Sequence, residues 1–486
     1  MKMTRRFTLP LFLFLSLVGF ASCQGVTEGA PADANRLPEP RNIILLIGDG
    51  MGFNHVLAAN YYEHGQEGAQ VYEQADWIRL ASATYNSVTR ISDGDTIYTG
   101  GYSAQDAWTN AEYLNRAATG SAESATAIST GIKTYSTAIG IGTRGDTLTH
   151  ISQAAKTLGK STGVVTSVPL SHATPAGFAA HNESRHNFGE IAAYLLFHTR
   201  LDVIMGAGNP DYNNDGQPEQ VSERYIGNRG FWEQLKANDG RTEFVVDGET
   251  LLVLDANGDG QRDPWTFIES REDFLSLADG PAPPRVLGVP RAYSTLHYGR
   301  SGEEALLPFE RPLNPEVPTL VEMTRAALNV LSNNPTGFFV MIEGGAIDWA
   351  GHDNHLGRMI EEQIDFNRTV EAVVDWVERY SSWEETLVIV TSDHETGYLT
   401  GPDHPDPVMA PVVSRGKGQL PDGVWHSDNH TNSLVPFYAK GPGAELFPLL
   451  AGEFDPVRGH YIQNSEIAQA VFLMWGKPGI SSHRLR

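Results

Sequence analysis

Six continuously apolar runs, bounded by glycine or acidic residues, constrain the fold of this chain more than any other sequence feature. They cover residues 42–47, 162–168, 202–205, 337–342, 386–390 and 434–439. Runs without polar alternation are typical of strands buried on both faces of a sheet. Helical patterns at 149–158, 318–331 and 361–380 alternate with them. This alternation predicts an α/β fold, with a mainly parallel central sheet and helices on both faces.

Three segments break the alternation of strands and helices. They are residues 60–110, 209–316 and 399–428. We interpret them as loop and small-subdomain insertions that decorate one domain over residues 41–486, because no repeat or linker separates them from it.

The first forty residues have the pattern of an export signal. Lys2, Arg5 and Arg6 precede an apolar stretch over 7–20, and small residues then lead to Cys23. This pattern predicts a signal peptide over 1–22 and a flexible tether over 23–40. Small residues before a cysteine resemble a bacterial lipoprotein signal, so we expect a periplasmic or cell-surface protein with a lipid on Cys23. The alternative is plain secretion with an incidental cysteine.

Charge and cysteine content exclude several classes of function. Asp and Glu outnumber Lys and Arg by 59 to 35, which gives a net charge of −24. Such a chain repels nucleic acids and anionic lipids, so we expect no nucleic-acid partner and membrane contact only through a lipid on Cys23. The single cysteine excludes an intrachain disulfide and cysteine-based metal sites.

Ionisable residues cluster where the predicted strands end. Asp49 follows the first run, Glu343 and Asp348 follow the fourth, and Asp393-His394 follows the fifth. Ligands collect at the carboxyl ends of strands in open α/β sheets. Asp, Glu and His side chains gathered there predict a zinc or magnesium site. His430 precedes the sixth run, so it joins the same edge only if that strand is antiparallel.

A serine at a predicted helix start supplies a second ingredient. Gly120 permits a tight turn, and the alanine-rich stretch after Ser121 favours a helix. Ser121 is then either a simple N-cap or a nucleophile facing an anion, because free N–H groups favour negative charge there.

Together these segments resemble the alkaline phosphatase family over nearly all of residues 41–475. The matching segments occur in the family's order: Gly48-Asp49-Gly50-Met51-Gly52, the Ser121 segment with Ser129-Thr130-Gly131, His172-Ala173-Thr174-Pro175, Glu343-Gly344, Asp348, His352, Asp393-His394-Glu395-Thr396-Gly397 and His430-Thr431. The resemblance implies a catalytic domain that hydrolyses small phosphate monoesters through a phosphoserine intermediate, with two Zn²⁺ and one Mg²⁺ per chain. It also implies a homodimer.

The resemblance assigns roles residue by residue. Ser121 matches the nucleophile, and Arg185 matches the arginine that grips two phosphate oxygens. The metal ligands form three sets: Asp348, His352 and His430 for the first zinc; Asp49, Asp393 and His394 for the second; and Asp49, Thr174 and Glu343 for the third metal, usually magnesium.

Three positions depart from the best-known bacterial pattern. Gly120 stands in place of an acidic residue that would orient the arginine, which predicts a more mobile Arg185. His172 replaces an aspartate near the third metal, and Trp349 replaces a lysine at the substrate site. A histidine ligand suits zinc better than magnesium, so His172 leaves the identity of the third metal open.

Two loops carry a separate metal signal. Their alternating oxygen side chains, with glycine at the sixth position, resemble calcium loops. The residues are Asp211, Asn213 and Asp215 in the first loop, and Asp255, Asn257, Asp259 and Asp263 in the second. The twelfth positions, Ser222 and Thr266, lack the expected glutamate. The alternative is a surface loop rich in Asx turns.

Two other functions compete with phosphomonoester hydrolysis. A phosphodiesterase or sulfatase of the same superfamily would generally use threonine or a modified cysteine as nucleophile and lack the third metal site. Ser121, Thr174 and Glu343 argue against that reading. A lipid-anchored, calcium-binding surface protein without activity is the third alternative, and the intact ligand set argues against it.

Overall fold

The structure is a computed structural model. It describes residues 37–87, 89–90, 96–97, 101–116, 118–246, 248–302, 306–402 and 408–477. The predicted signal peptide, Cys23 and most of the tether lie outside the described residues. The residues described from Leu37 onward belong to one compact unit.

Apolar runs form the centre of an eleven-stranded sheet, and shorter strands extend it or pair outside it. The strands are β1 (Asn42–Gly48), β2 (Ile78–Ala83), β3 (Thr89–Arg90), β4 (Thr96–Ile97), β5 (Ser161–Pro169), β6 (Val203–Ala207), β7 (Glu243–Val246), β8 (Glu249–Leu252), β9 (Thr266–Ile268), β10 (Val286–Gly288), β11 (Phe338–Gly344), β12 (Thr386–Thr391), β13 (Glu395–Thr396), β14 (Leu399–Thr400), β15 (Val424–Trp425), β16 (His430–Thr431), β17 (Val435–Lys440), β18 (Glu453–Asp455) and β19 (Gly459–Gln463).

The central sheet is mostly parallel, as the sequence predicts. Its order is β18-β19-β2-β17-β12-β1-β11-β5-β6-β10-β9. All neighbours from β12 to β9 run parallel, whereas β17 runs antiparallel to both β12 and β2. Ile47 pairs with Glu343 on one side and with Thr391 on the other. The three central strands therefore end at the same level.

Helices cover both faces of the sheet. They are α1 (Phe53–His64), α2 (Ala104–Thr109), α3 (Ala111–Asn115), α4 (Ser121–Thr130), α5 (Ile151–Thr157), α6 (Ala173–Ala176), α7 (Phe188–Phe197), α8 (Arg229–Lys236), α9 (Arg271–Asp279), α10 (Leu320–Leu331), α11 (Ala346–His352), α12 (Leu356–Tyr380), α13 (Phe447–Leu450) and α14 (Glu466–Met474), with 3₁₀ turns at Val71–Glu73 and Ala444–Leu446. None of the helices in this described part of the chain is long and apolar enough to span a membrane.

Alternation along the strands divides the core into two apolar layers. In β1, Ile43, Leu45 and Ile47 pack with α4, α5, α7 and α14 on one face. Ile44 and Leu46 pack with α1, α10 and α12 on the other. Because successive side chains of a strand point to opposite faces, a strand buried on both sides must be apolar throughout.

The six predicted strands are confirmed, but the extent of the insertions needs correction. Segment 60–110 contains β2, which pairs with β17 and β19 inside the central sheet. Segment 209–316 contains β9 and β10, which extend the other end of the sheet. These strands escaped prediction because β9 and β10 have three residues each and the first half of β2 is only partly buried.

Candidate active site

The carboxyl ends of the central strands gather the ionisable residues that the sequence singles out. Asp49 follows β1, Glu343 lies near the end of β11, and Asp393 follows β12. His430 lies in β16, just before β17, and the antiparallel direction of β17 places its start at the same edge. The strand after His430 is therefore antiparallel, and His430 lies at the same edge as the other proposed ligands.

The first predicted ligand set converges on one point. Asp348 and His352 lie one turn apart on α11, so they share a helix face. The Nε2 atoms of His352 and His430 are 3.1 Å apart, and each lies 3.4 Å from Oδ1 of Asp348. The structure thus brings together all three proposed ligands of the first zinc.

Hydrogen bonds to backbone carbonyl groups orient the imidazole rings of His352 and His430 so that their Nε2 atoms face Asp348. Nδ1 of His352 lies 2.6 Å from the carbonyl oxygen of Asp428, and Nδ1 of His430 lies 2.7 Å from that of Thr119. A carbonyl can only accept a hydrogen bond, so each Nδ1 carries a proton, and in the neutral ring each Nε2 has a free lone pair. This arrangement is typical of metal-binding histidines.

The second predicted ligand set lies beside the first and is fully buried. Nε2 of His394 is 3.4 Å from Oδ1 of Asp49 and 3.3 Å from Oδ2 of Asp393. Its Nδ1 lies 3.2 Å from the hydroxyl of Thr396, which in turn donates to Asp348 at 2.5 Å. Thr396 therefore ties a ligand of the second set to a ligand of the first.

Asp49 and Glu343 of the third predicted set are also brought together, with His172 beside them. One ligand atom from each of Asp49, His172 and Glu343 lies within 4.8 Å of the others. Oε2 of Glu343 accepts a hydrogen bond from Thr166, whereas its Oε1 and the hydroxyl of Thr174 are buried without a hydrogen-bond partner. His172 joins this cluster although the resemblance names it only as a departure.

Several carboxylate oxygens at this edge lack the donors that buried anions require. Both oxygens of Asp49 and Oδ2 of Asp393 are buried without a hydrogen-bond partner. Burial, reinforced by neighbouring carboxylates, raises the pKa of Asp49 well above its usual range, that of Asp393 to about 6 and that of Glu343 to about 7. Bound cations would reverse this penalty, so the oxygen and nitrogen donors fit zinc and magnesium.

Ser121 occupies the first position of α4, directly above this cluster. Its Oγ lies 3.3 Å from Nε2 of His394 and accepts a hydrogen bond of 3.3 Å from Nη1 of Arg185. Nη2 of Arg185 lies 3.3 Å from Nε2 of His172. The structure therefore joins the proposed nucleophile, the proposed phosphate-binding arginine and two proposed metal ligands, His394 and His172, in one contact group.

An open cleft of about 440 Å³ leads to this group. It is lined by Ser121, His172, Arg185, Asp348, Trp349, His352, Asp353, Asn429 and His430. Trp349 lies beside His172, with ring centroids 5.9 Å apart. Asp353, Asn429 and Thr396 have no role predicted from the sequence. Each lies within two residues of a proposed ligand, and this proximity is the signal that would have found them.

In the two loops that resemble calcium loops, the side-chain oxygens have hydrogen-bond donors, unlike several carboxylate oxygens of the sheet edge. Asp211 accepts hydrogen bonds from Arg229, Trp232 and Lys236. The other loop oxygens mostly accept backbone N–H groups: those of Asn213, Asp215, Asp255, Asn257, Asp259 and Asp263. These contacts are those of the Asx-turn alternative. Calcium binding in the loops stays a prediction.

The family model for alkaline phosphatase matches residues 40–418. An alkaline phosphatase of Escherichia coli is 30% identical over 430 residues, which cover 83% of this chain and 82% of that relative. The chain belongs to the alkaline phosphatase family. Membership makes it a metal-binding hydrolase that acts on phosphate monoesters.

Further alkaline phosphatases match over nearly the full length. Alkaline phosphatase 3 of Bacillus subtilis is 27% identical and covers 97% of each chain. The solved cold-active enzyme of Shewanella sp. superposes with a TM-score of 0.59 at 24% identity, covering 90% of this chain and 100% of the other. The Thermus thermophilus alkaline phosphatase has a TM-score of 0.59 at 21% identity, covering 94% and 96%. These two structures support the fold alone.

Proposed function

We propose that the chain hydrolyses phosphate monoesters through a phosphoserine intermediate on Ser121. The observation that carries the proposal is the position of the Ser121 hydroxyl, which lies 3.3 Å from both Arg185 and His394 at the rim of the ligand clusters. The N-cap of α4 is Gly120, so Ser121 is not a simple N-cap. The free N–H groups at the start of α4 add positive potential on the side where a phosphate would lie.

The proposed reaction takes place in two displacements at phosphorus. Oγ of Ser121 loses its proton and forms a bond to phosphorus while the ester P–O bond breaks, and the leaving alcohol takes up a proton. Water then loses a proton and attacks the phosphoserine, the Oγ–P bond breaks, Oγ takes up a proton, and inorganic phosphate leaves. Arg185 binds two non-bridging oxygens through its planar guanidinium in both steps.

The ligand sets support two Zn²⁺ and one Mg²⁺ per chain as the proposed metals. Asp348, His352 and His430 would hold one zinc, Asp49, Asp393 and His394 the other, and Asp49, Thr174, Glu343 and His172 the third metal. When bound, such ions stabilise the charge on the attacking and leaving oxygens and lower the pKa of the serine hydroxyl. Asp49 would belong to both the second and the third set, so it links the two sites.

The third metal site is the least defined of the three. His172 contributes a nitrogen donor, which suits zinc better than magnesium. Two solved variants of the alkaline phosphatase from the Antarctic bacterium TAB5, with one histidine replaced by glutamate or by aspartate, have magnesium bound in the M3 site. Metal analysis of this chain and of His172→Asp, both loaded from a mixture of zinc and magnesium, tests the assignment. Magnesium retained only by the variant would contradict the proposed Mg²⁺.

A substrate panel tests the proposed reaction against its alternatives. Zinc-loaded protein is assayed with p-nitrophenyl phosphate, bis-p-nitrophenyl phosphate and p-nitrophenyl sulfate at equal concentration. We expect hydrolysis of the monoester to exceed the other two by orders of magnitude. Preference for the diester or the sulfate ester would favour the other superfamily reactions, and no release from any ester would favour an inactive surface protein.

Export, lipidation and dimer formation are further proposals for this chain. The sequence of residues 1–23 supports export to the periplasm or cell surface with a lipid on Cys23. Labelled palmitate that enters the wild-type protein but not Cys23→Ser would support the lipid. A monomeric mass from light scattering would contradict the homodimer.

A further inference from the structure

Glu123, two residues after the proposed nucleophile, has a buried carboxylate that belongs to none of the three ligand sets. Glu123 is the third residue of α4 and is 2% exposed. Its Oε1 accepts a hydrogen bond of 2.7 Å from the backbone N–H of Gly120 and one of 3.4 Å from Nδ2 of Asn86. Its Oε2 accepts one of 3.0 Å from the backbone N–H of Thr137. The carboxylate thus joins the start of the nucleophile helix to a separate segment.

Thr137 holds an unusual backbone conformation at the far end of this contact. Its φ is 73°, in the left-handed region that β-branched residues rarely adopt. Such a conformation persists only when surrounding contacts fix it. The hydrogen bond to Glu123 is one of those contacts, because it holds the N–H of Thr137 in place.

Thr137 in turn anchors the segment that carries Arg185. The carbonyl oxygen of Thr137 accepts a hydrogen bond of 2.9 Å from the backbone N–H of Arg185. Two residues on, Ile139 and Asn182 exchange backbone hydrogen bonds of 2.9 Å in both directions. The main chain at Asn182 and at Arg185 is therefore held against residues 137–139.

We propose that Glu123 is a positioning residue that fixes Ser121 and Arg185 relative to each other. A continuous path of hydrogen bonds runs from Gly120, next to Ser121, through Glu123 and Thr137 to the backbone of Arg185. The guanidinium returns to the Ser121 hydroxyl at 3.3 Å and closes the path. The inference rests on the proposed roles of these two residues in phosphoryl transfer.

Two features distinguish this arrangement from ordinary helix capping. Capping uses only the contact with Gly120, whereas the second oxygen of Glu123 reaches Thr137, outside the helix. In addition, a Cβ on residue 120 would lie only 3.2 and 3.3 Å from the two carboxylate oxygens. Glycine at this position therefore leaves room for the carboxylate to approach the N–H group.

The first test compares Glu123→Ala and Glu123→Gln with a matched control. Glu322 occupies the same third position in α10, where it accepts the N–H of Thr319 at 3.0 Å and contacts no residue of the cleft. We expect Glu123→Ala to lower kcat/KM for p-nitrophenyl phosphate by about 10- to 100-fold, since small misplacements of reacting groups have effects of this size. The inhibition constant of inorganic phosphate should rise in parallel, while zinc content stays at the wild-type value.

Glu123→Gln should show a smaller loss, because its amide oxygen still accepts one N–H group but its NH₂ cannot accept the second. Glu322→Gln should lower the free energy of unfolding without changing the inhibition constant of phosphate. Folded, zinc-replete Glu123 variants with wild-type kcat/KM and phosphate inhibition would overturn the proposal.

The second test uses Thr137→Gly, which adopts a positive φ without strain. If Glu123 acts by holding Thr137 in place, the loss caused by Glu123→Gln should be several-fold smaller in the Thr137→Gly background. An equal loss in both backgrounds would contradict the path through Thr137. A Glu123 variant that fails to fold in either background would also count against positioning, because it would assign Glu123 to folding. A wild-type protein without phosphatase activity would instead defeat the proposed function itself.

Discussion

Two groups of acidic residues in this chain look alike in sequence but differ in their partners. At the sheet edge, both oxygens of Asp49 and one oxygen each of Asp393 and Glu343 are buried with no hydrogen-bond donor. In the loops, Asp211 meets three cationic or N–H side chains, and Asp255 accepts two backbone N–H groups. A buried carboxylate without donors must bind a cation or take up a proton, whereas one with donors can stay ionised without either.

The comparison shows that donors, not acidic residues alone, decide where a metal is needed. Within the described residues, the His, Cys, Asp and Glu side chains that could converge on an ion form three groups, all at the sheet edge. The Asp/Asn pattern of the loops is also a metal signal in the sequence, yet backbone and side-chain N–H groups already bind its oxygens.

The largest contrast is expected from one matched substitution in each region. Asp49→Asn removes the charge that the second and third metal sites share, and should lower kcat/KM by on the order of 10³-fold, or about 4 kcal/mol of transition-state stabilisation. Asp255→Asn keeps an oxygen for only one of the N–H groups of Gly258 and Gly260, but Asp255 does not line the cleft, so its kcat/KM should stay within about twofold. Steady-state kinetics with zinc and magnesium present measures both. Equal losses of kcat/KM in the two variants would contradict the proposed difference between the sheet edge and the loops.

A smaller effect is expected at the third metal site. Glu343→Gln should lower kcat by about 10- to 100-fold and weaken the stimulation by magnesium, because Glu343 is proposed to hold the third metal and orient Asp49. Both zinc ions should remain bound, as measured by metal analysis after gel filtration. If Glu343 only accepts hydrogen bonds at a strand end, the variant would be less stable yet normally stimulated by magnesium.

The pH dependence of stability should have opposite signs in the two regions of the metal-free protein. Burial raises the pKa of Glu343 from 4.5 to about 7, so folding takes up a proton between these pH values. The stability that the protonated group contributes is present below pH 4.5 and lost as the pH rises through 7. Relative to wild type, metal-free Glu343→Gln should therefore gain stability over this range, on the order of 1 kcal/mol or more.

Asp211 should show the reverse dependence. Burial acts to raise the pKa of Asp211. Hydrogen bonds from Lys236, Trp232 and Arg229 outweigh burial and lower this pKa from 3.8 to about 2. Its contribution is present above pH 3.8 and lost as the pH falls through 2. Asp211→Asn should therefore lose stability relative to wild type as the pH rises through this range. Urea unfolding of each variant checks both signs, and a common sign would contradict the comparison.

The smallest effect is expected from calcium. If the donors already present satisfy the loop oxygens, adding calcium to protein loaded with zinc and magnesium should leave the melting temperature unchanged. Calorimetric titration should then detect no further binding sites. Heat of binding that disappears in Asp215→Asn or Asp263→Asn would restore the calcium interpretation for the corresponding loop.

The sequence predicts the centre of the fold well because the central strands are buried on both faces. Continuous apolar runs identify β1, β5, β11 and β12, and the polar residues that follow three of these strands identify the functional edge. Edge strands are not predicted from the sequence, because they are not buried on both faces. Two of the three residues of β18 are exposed, so burial leaves no pattern in its sequence.

The sequence predicts the proposed metal ligands of the site but not the hydrogen bonds that orient them. Strand ends and the family resemblance identify Asp49, Asp393 and His394, whereas the carbonyl of Asp428 that orients His352 depends on tertiary packing. A backbone carbonyl carries no sequence signal. The reach of Glu123 to Thr137 is equally invisible in sequence, since it depends on the left-handed turn at Thr137.

The most direct test of the central claim is to trap the phosphorylated serine. Zinc- and magnesium-loaded wild-type protein is quenched in acid during turnover of p-nitrophenyl phosphate, digested and examined by mass spectrometry, with Ser121→Ala treated in the same way. We predict one phosphoryl group on Ser121 in the wild type and none in the variant. A phosphoryl group on another residue, or steady turnover by Ser121→Ala at the wild-type rate, would contradict the account.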